Sequence, residues 1–359
     1  MSNTGQQVIQ QWYSKKNWRQ FPFQKEMEAA YLQGYSGLLN APTGSGKTFA
    51  LFLPFVADYI NKHPDTYKKR KDNGLLMLWI TPLRALTNDI KKAMQEACDE
   101  MGIPWKIATR TGDTPAAEKA ALKRKLPEVL LTTPESLHLM LAQKEYPKIF
   151  KSLQVVVIDE WHELLGTKRG VQVELGLSRL KAVRGEQLPA DETLTKQTAN
   201  SHLKIWGISA TIGNLEQAAD VLLGNTFPKD RIRMVRANIE KKLDIRSVIP
   251  ENIESYSWTG HIGVKMLPQV MELVAKSKTT LIFTNTRSQS EIWYHAILDN
   301  YPEYAGIMAM HHGSLDNELR NWVEQALHAE MLKVVVCTSS LDLGVDFRPV
   351  DTVVQVGSP

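Results

Sequence analysis

Two short stretches of this chain combine residue types that handle phosphate and water. The first is Ala41-Pro42-Thr43-Gly44-Ser45-Gly46-Lys47-Thr48, preceded by a short apolar run (Gly37, Leu38, Leu39) and followed by an apolar segment of helical length, Phe49 to Ile60. Strand, glycine loop and helix is the context in which backbone N–H groups curl around an anion, helped by the helix start and its dipole. Thr43, Gly44, Ser45 and Gly46 would supply that cradle. Lys47 is placed to reach the β- and γ-phosphates of ATP, and the Thr48 hydroxyl to ligate Mg²⁺. Ala41 stands where the motif usually begins with glycine, so this position must not need a positive φ. The second stretch is Val155-Val156-Val157-Ile158 running into Asp159-Glu160-Trp161-His162. Four buried apolar residues ending in adjacent acids put the first carboxylate at a strand tip, facing the glycine loop. Asp159 can then hold Mg²⁺ through water, while Glu160 orients or deprotonates the attacking water.

Three further stretches belong with these two. Gln24, in Trp18-Arg19-Gln20-Phe21-Pro22-Phe23-Gln24, can pair with N6 and N7 of an adenine, with Phe21 or Phe23 stacking nearby. Ser209 and Thr211, in Trp206-Gly207-Ile208-Ser209-Ala210-Thr211, are expected to hydrogen-bond His162 and link the ATP site to a second lobe. Turns rich in hydroxyls, Thr109 to Thr114 and Thr132 to Ser136, join the turn carrying Arg84 as three polar, helix-initiating loops. Hydroxyls, backbone N–H groups and an arginine are the contacts that position a nucleic-acid backbone without reading its sequence. Thr133 and Ser136 are also expected to cap the helix that follows. The basic run Lys68 to Lys71 reads as a solvated loop.

The elements that must position these residues alternate. Short apolar strands at Leu75–Ile80, Ile107–Thr109, Val129–Thr132, Val155–Ile158 and Ile205–Ser209 are separated by helical stretches. That pattern predicts an open parallel α/β sheet with its ligands at the strand C-terminal ends. From roughly Arg233 to Gly263 the chain turns Arg/Lys-rich and Pro-interrupted, which reads as a domain boundary. A second alternation follows, with strands at Thr280–Phe283, Met308–His311, Val334–Cys337 and Thr352–Val356. The expected organisation is a first domain over 1–232, a linker over 233–265 and a second domain over 266–359. Two sheets offering strand tips to one another would form a cleft.

Bulk properties agree. A chain of 359 residues exceeds what one hydrophobic core usually holds. With 43% hydrophobic and 23% charged residues it is globular rather than disordered, and a net charge of +4 permits a polyanionic partner without demanding one. Two distant cysteines, Cys98 and Cys337, exclude a disulfide framework and a thiolate zinc site, and suit a reducing cytoplasm. No apolar run approaches the ~18–20 residues that span a bilayer, so no membrane association is expected.

Taken together these residues resemble the superfamily-two helicases. Gln24 looks like the Q motif, APTGSGKT like motif I, TPLRAL like motif Ia and TTPES like motif Ib. DEWH looks like motif II, Ser209–Thr211 like motif III, Leu281–Arg287 like motif IV and Cys337–Phe347 like motif V. Within the superfamily, the DExH form, the Ser-Ala-Thr-Ile-Gly-Asn run and Tyr256–His261 resemble the large helicase-related (Lhr) family. The Glu-Trp-His-Glu-Leu-Leu-Gly run is similar to its ligase-associated DEXH-box branch. The resemblance implies two tandem RecA-like domains and an ATP-driven translocase with 3′-to-5′ polarity on single-stranded or partly duplex DNA. It implies a role in DNA repair beside enzymes such as an ATP-dependent ligase. It assigns nucleotide contacts to Gly344 and Asp346, coupling to His162, Ser209 and Thr211, and nucleic-acid contacts to Arg84, Thr133, Asn285, Arg287 and Thr338. Family members continue beyond Gln355–Pro359 into an arginine-rich motif VI and a winged helix, so the chain is expected to be a fragment with an incomplete second domain. Such a fragment would bind ATP and weakly bind DNA, but hydrolyse ATP slowly or not at all. Two other readings stay open: an ATP-gated nucleic-acid-binding module without motor activity, and an RNA helicase.

Overall fold

The computed structural model describes residues 3–82, 84–184, 203–210, 212–224, 227–239, 244–249, 262–338, 341 and 350–357, with the backbone alone at 84–86, 262 and 317. The chain forms two compact units, Met1–Glu240 and Lys241–Pro359.

The first unit opens with helices α1 (Thr4–Lys15) and α2 (Pro22–Leu32), then β1 (Ser36–Asn40) and α3 (Lys47–Lys62). It continues through β2 (Met77–Ile80), α4 (Arg84–Met101), β3 (Ile107–Arg110), α5 (Ala116–Arg124) and β4 (Val129–Thr132). Next come α6 (Pro134–Leu141), α7 (Tyr146–Phe150), β5 (Val155–Ile158), the short α8 (Trp161–Leu164) and α9 (Lys168–Val183). The last elements are β6 (Lys204–Ser209), α10 (Leu215–Leu223) and β7 (Ile232–Arg236).

These strands form one parallel sheet in the order β3-β4-β2-β5-β6-β1-β7. The four-residue strands β2, β4 and β5 are buried throughout, as continuous apolar runs covered on both faces must be. Alternate residues of β5 serve two cores. Val155 and Val157 pack with Trp79, Phe52 and Met94 on one face, and Val156 and Ile158 pack with Leu137, Leu177 and Leu222 on the other. Residues 232–236, which the charge pattern assigns to the boundary and linker, are strand β7, paired along β1 from Ser36↔Ile232 to Asn40↔Arg236. Its two exposed arginines among apolar residues suit an edge strand.

The second unit holds α11 (Leu267–Lys276), β8 (Thr280–Thr284), α12 (Arg287–Asn300), β9 (Met308–His311), α13 (Asn317–His328), β10 (Val334–Cys337) and β11 (Thr352–Val356). Its sheet is parallel, in the order β11-β8-β10-β9. Val334 and Val336 pack with Trp293 and Ile297 on one face, and Val335 and Cys337 with Val323 and Leu327 on the other. Both cysteines are buried and neither forms a disulfide. Among the described residues no helix is long and apolar enough to cross a membrane.

Strand β1 leads straight into the glycine loop, and its attachment depends on one missing side chain. A Cβ at Gly37 would lie 1.7 Å from the Arg233 carbonyl oxygen of β7. Gly37→Ala is therefore expected to push β7 away and cost roughly 1–3 kcal/mol or more. A thermal melt of the variant checks this, and an unchanged Tm would contradict it.

Candidate functional site

In a parallel sheet every strand ends on the same edge, and the candidate residues sit there. The glycine loop follows β1, the acids follow β5, and β6 lies between these two strands. Gly44 and Gly46 have φ of 76° and 82°, left-handed values that glycine adopts at no steric cost. Ala41 is not among the described non-glycine residues with positive φ, and its N–H donates to the Ser209 carbonyl at 2.9 Å. The departure from glycine at this position therefore costs nothing. The Ser45 hydroxyl donates to the Pro42 carbonyl at 2.6 Å and closes the loop on itself. Lys47 is the first residue of α3, so the unpaired N–H groups of that helix start face the loop interior. Thr48 follows in the same turn and is half-buried, while Thr43 and Gly44 are exposed.

Lys47 and the two acids converge. Lys47 Nζ donates to Glu160 Oε1 at 3.0 Å, with side chains only 9% and 12% exposed. The other carboxylate oxygen, Glu160 Oε2, lies 3.5 Å from His162 Nδ1, which in turn is 3.1 Å from Ser209 Oγ. Lysine, glutamate, histidine and serine thus form a continuous polar chain across three strand tips. Glu160 has φ of 46° and ψ of 50°, a left-handed conformation that costs a residue with a Cβ about 1–2 kcal/mol. That backbone turns the chain out of β5 and into α8 at once. Thr211, expected beside Ser209, lies outside the described residues.

Asp159 is buried at 6% exposure. Its Oδ2 accepts from Trp79 Nε1 at 3.3 Å and its Oδ1 from the Glu160 N–H at 3.0 Å. Burial, and then the neighbouring Glu160 carboxylate, push its pKa up to about 6, with Lys47 and the two hydrogen bonds acting against them. Trp79 was not evident as a site residue: it stands in an apolar run, and only the β2–β5 register, Trp79↔Val157, brings its ring N–H to the acid. Asn40, at the end of β1, is a second such residue. Its amide donates to the carbonyls of Ser209 at 3.4 Å and Ala210 at 3.2 Å, tying the glycine loop to the tip of β6.

Gln24 is buried rather than presented to a base. Its Oε1 accepts from the Phe21 N–H at 2.9 Å and its Nε2 donates to the Gly46 carbonyl at 3.2 Å. The same Oε1 also accepts from the Tyr13 hydroxyl at 3.5 Å, so one amide hydrogen is what Gln24 has left to offer. Phe23 is buried at 4% exposure and Phe21 is 46% exposed, so Phe21 is the ring able to stack on a ligand.

The polar rim differs from expectation. Thr133 is 1% exposed and caps α6: its hydroxyl accepts from the Ser136 N–H at 3.4 Å and lies 3.2 Å from Ser136 Oγ. As a side chain it cannot face a phosphate, because the helix start consumes its hydroxyl. Thr111 and Thr114 are likewise buried and engaged within their own loop, and the buried Thr132 hydroxyl donates to the Arg110 carbonyl of β3 at 2.8 Å. Backbone alone is described for Arg84. In the second unit Asn285 and Arg287 are exposed at the tip of β8, with Arg287 Nε donating to Glu291 at 2.8 Å. Thr338 is half-buried after β10, and its N–H donates to the His311 carbonyl at 3.1 Å. Gly344 and Asp346 lie outside the described residues.

Comparison with known proteins decides the family. A DEAD/DEAH box helicase model matches residues 21–218, and a helicase conserved C-terminal domain model matches residues 263–359. The chain belongs to the DEAD/DEAH box helicase family. As a family member it is similar to ATP-dependent helicase Lhr-Core protein 2 of Thermococcus barophilus, with 32% identity over 98% of this chain and 40% of that protein. It is 30% identical to the Escherichia coli Lhr helicase/uracil glycosylase over 90% of this chain and 23% of that protein. The structure of Mycobacterium smegmatis helicase Lhr bound to ssDNA and AMP-PNP superposes with a TM-score of 0.76 at 29% identity, over 98% of this chain and 44% of that one. The chain spans between 37% and 40% of the length of the first Lhr-Core relatives. The helicase fold of the family is the one seen here: two RecA-like domains in tandem along the chain, each with a parallel sheet.

The raised pKa of Asp159 has a measurable consequence. In EDTA the folded state holds this proton up to pH about 6, whereas the unfolded chain releases it near pH 4. Between those values the native state binds more protons, so stability falls as pH rises. The loss amounts to at most ~3 kcal/mol. Asp159→Asn is expected to flatten this dependence and to be the more stable protein at pH 7. Urea melts of both proteins at pH 4, 6 and 7 check this, and parallel pH profiles would refute it.

Proposed function

We propose that this chain is the ATP-driven motor core of a nucleic-acid helicase acting on single-stranded DNA. The observation that carries the reading is the convergence of Lys47, Asp159 and Glu160 at one sheet edge, with Lys47 Nζ 3.0 Å from Glu160. In this reading the glycine loop and the start of α3 hold the triphosphate, and Lys47 neutralises its terminal charge. Glu160 orients the attacking water and takes its proton at the carboxylate. His162 and Ser209 report the state of that carboxylate to the tip of β6.

The residues fit a magnesium ion. Two adjacent carboxylates face a single ammonium, and the buried Asp159 carries an unfavourable charge that a dication would relieve. Thr48 and Asp159 are the groups that would hold the ion, which when bound neutralises developing phosphate charge. Nucleic acid is assigned to Arg84 and the loop holding Thr133 on the first unit, and to Asn285, Arg287 and Thr338 on the second. Preference for DNA rests on the Lhr similarity. A role in DNA repair beside an ATP-dependent ligase rests on the resemblance of residues 160–166 to the ligase-associated branch. A cytoplasmic setting agrees with two buried cysteines that form no disulfide.

Glu160→Gln is expected to abolish ATP hydrolysis while leaving ATP binding within about threefold, because Lys47 and the loop are untouched. Lys47→Ala should lose both. Unchanged turnover in Glu160→Gln, measured with and without single-stranded DNA, would remove Glu160 as the base. Arg84→Glu is expected to weaken binding to all single-stranded sequences alike and to lower the salt slope by about one. Competition between DNA and RNA oligonucleotides of one sequence decides the substrate class.

A further inference from the structure

Helix α9 begins in a way that helix stability does not ask for. Its first turn carries Lys168 and Arg169 and no acid, so two cations sit at the positive end of the helix dipole. Arg169 is held there by partners far away in sequence. Its Nε donates to Glu135 Oε1 at 2.6 Å and its Nη2 to Glu135 Oε2 at 3.3 Å, the two-pronged geometry that fixes a guanidinium. The same Nη2 donates to the Pro82 carbonyl at 2.9 Å. Glu135 belongs to the first turn of α6, beside Thr133, and Pro82 lies in the turn between β2 and the helix that Arg84 begins. One side chain therefore joins the two first-unit loops to which nucleic acid is assigned.

The other end of this brace is the hydrolysis site. From Glu160 the chain runs through α8, a turn at Gly166 with φ of 71°, and the Thr167 cap into Arg169. Trp161 is fully buried and its ring N–H donates to the Ala218 carbonyl at 3.1 Å. The Thr167 hydroxyl donates to the Leu164 carbonyl at 2.7 Å, and a Cβ at Gly170 would lie 2.1 Å from that same oxygen. α8 and the start of α9 are thus fastened to one another, which gives a shift at Glu160 a route to the guanidinium. The pair is 38% and 45% exposed, where an ion pair adds little stability. Its geometry matters more than its energy.

We infer that Arg169 is a positioning residue that couples the nucleotide site to nucleic-acid grip, by holding the loops after β2 and β4 in one register set by the Asp159–Glu160 segment. The inference rests on the proposed function above. Binding of nucleotide then changes the register of both loops together, and by linkage nucleic acid changes nucleotide affinity by the same factor.

The test measures binding of a fluorescent single-stranded DNA oligonucleotide by anisotropy, with and without AMP-PNP and Mg²⁺. It compares the wild-type chain with Arg169→Gln, Arg169→Lys and Glu135→Gln. In the wild type, AMP-PNP is expected to change DNA affinity. In Arg169→Gln and Glu135→Gln that change should shrink by about fivefold or more, the low end of typical coupling. Arg169→Lys, which keeps the charge but loses the fork, should fall between. AMP-PNP affinity without DNA should stay within about twofold in all four proteins, a readout that a merely structural role would not spare. Should Arg169→Gln not fold, Glu135→Gln and Arg169→Lys decide. Full coupling in the folded variants, or an equal loss of DNA-free nucleotide affinity, overturns the inference and leaves the proposed function standing. A wild-type chain that binds DNA and nucleotide without any mutual effect overturns both.

Discussion

The bridge between Lys47 and Glu160 depends on what lies beneath it. These residues follow β1 and β5, which are not neighbours: β6 runs between them. Adjacent strands sit about 4.8 Å apart, so the two loops start about 10 Å from one another. Only long side chains reaching over the tip of β6 can meet. That tip must therefore be small, and it is Ser209 followed by Ala210. Ser209 serves both sides, taking the Ala41 N–H on its carbonyl and placing its hydroxyl against His162. Asn40 adds its amide to the same tip. The strand order thus brings a cation and a carboxylate together while keeping a third strand informed of both.

Glutamate at 160 shows why the site tolerates strain. Glycine would relax the left-handed backbone but has no carboxylate, and any right-handed residue would delay the turn out of β5. The ~1–2 kcal/mol held in that backbone is offset by burial around it: Trp161, Leu164 and Ile158 are all fully buried. Asp159 is strained electrostatically in the same sense. Its charge is buried between a tryptophan N–H and a second carboxylate, a setting that disfavours the ionised form and raises its pKa.

Much of this was legible in the chain. β4 and β5 fall on the apolar runs Val129–Thr132 and Val155–Ile158, because strands covered on both faces are continuous in sequence. Lys47 and the acids declare themselves by type and spacing. What escaped was either edge or register. β7 carries two arginines in five residues and lies at the sheet edge beside β1, so Ile232–Arg236 resembles a linker. Trp79 and Arg169 act through partners 80 and 34 positions away, and nothing local marks them. Thr133 was ambiguous for a chemical reason: a threonine before a helix has one hydroxyl, and capping claims it before any ligand can.

The same competition explains the character of the rim. Thr111, Thr114, Thr132, Thr133 and Ser136 all spend their hydroxyls on neighbouring backbone or on each other. Loops built this way are already ordered, so under the proposed function gripping a strand would cost them little conformational entropy. They also hold few side-chain groups to spare for base edges. What such loops have left to give a strand is backbone N–H groups and shape, which contact phosphate and sugar and carry no sequence information. Under the proposed function, indifference to sequence is what movement along a strand would require, since a grip that preferred one base would hold the protein there. In the inferred coupling, loops ordered in this way would respond to nucleotide by moving as bodies, and a guanidinium fastened to two of them at once would move them together.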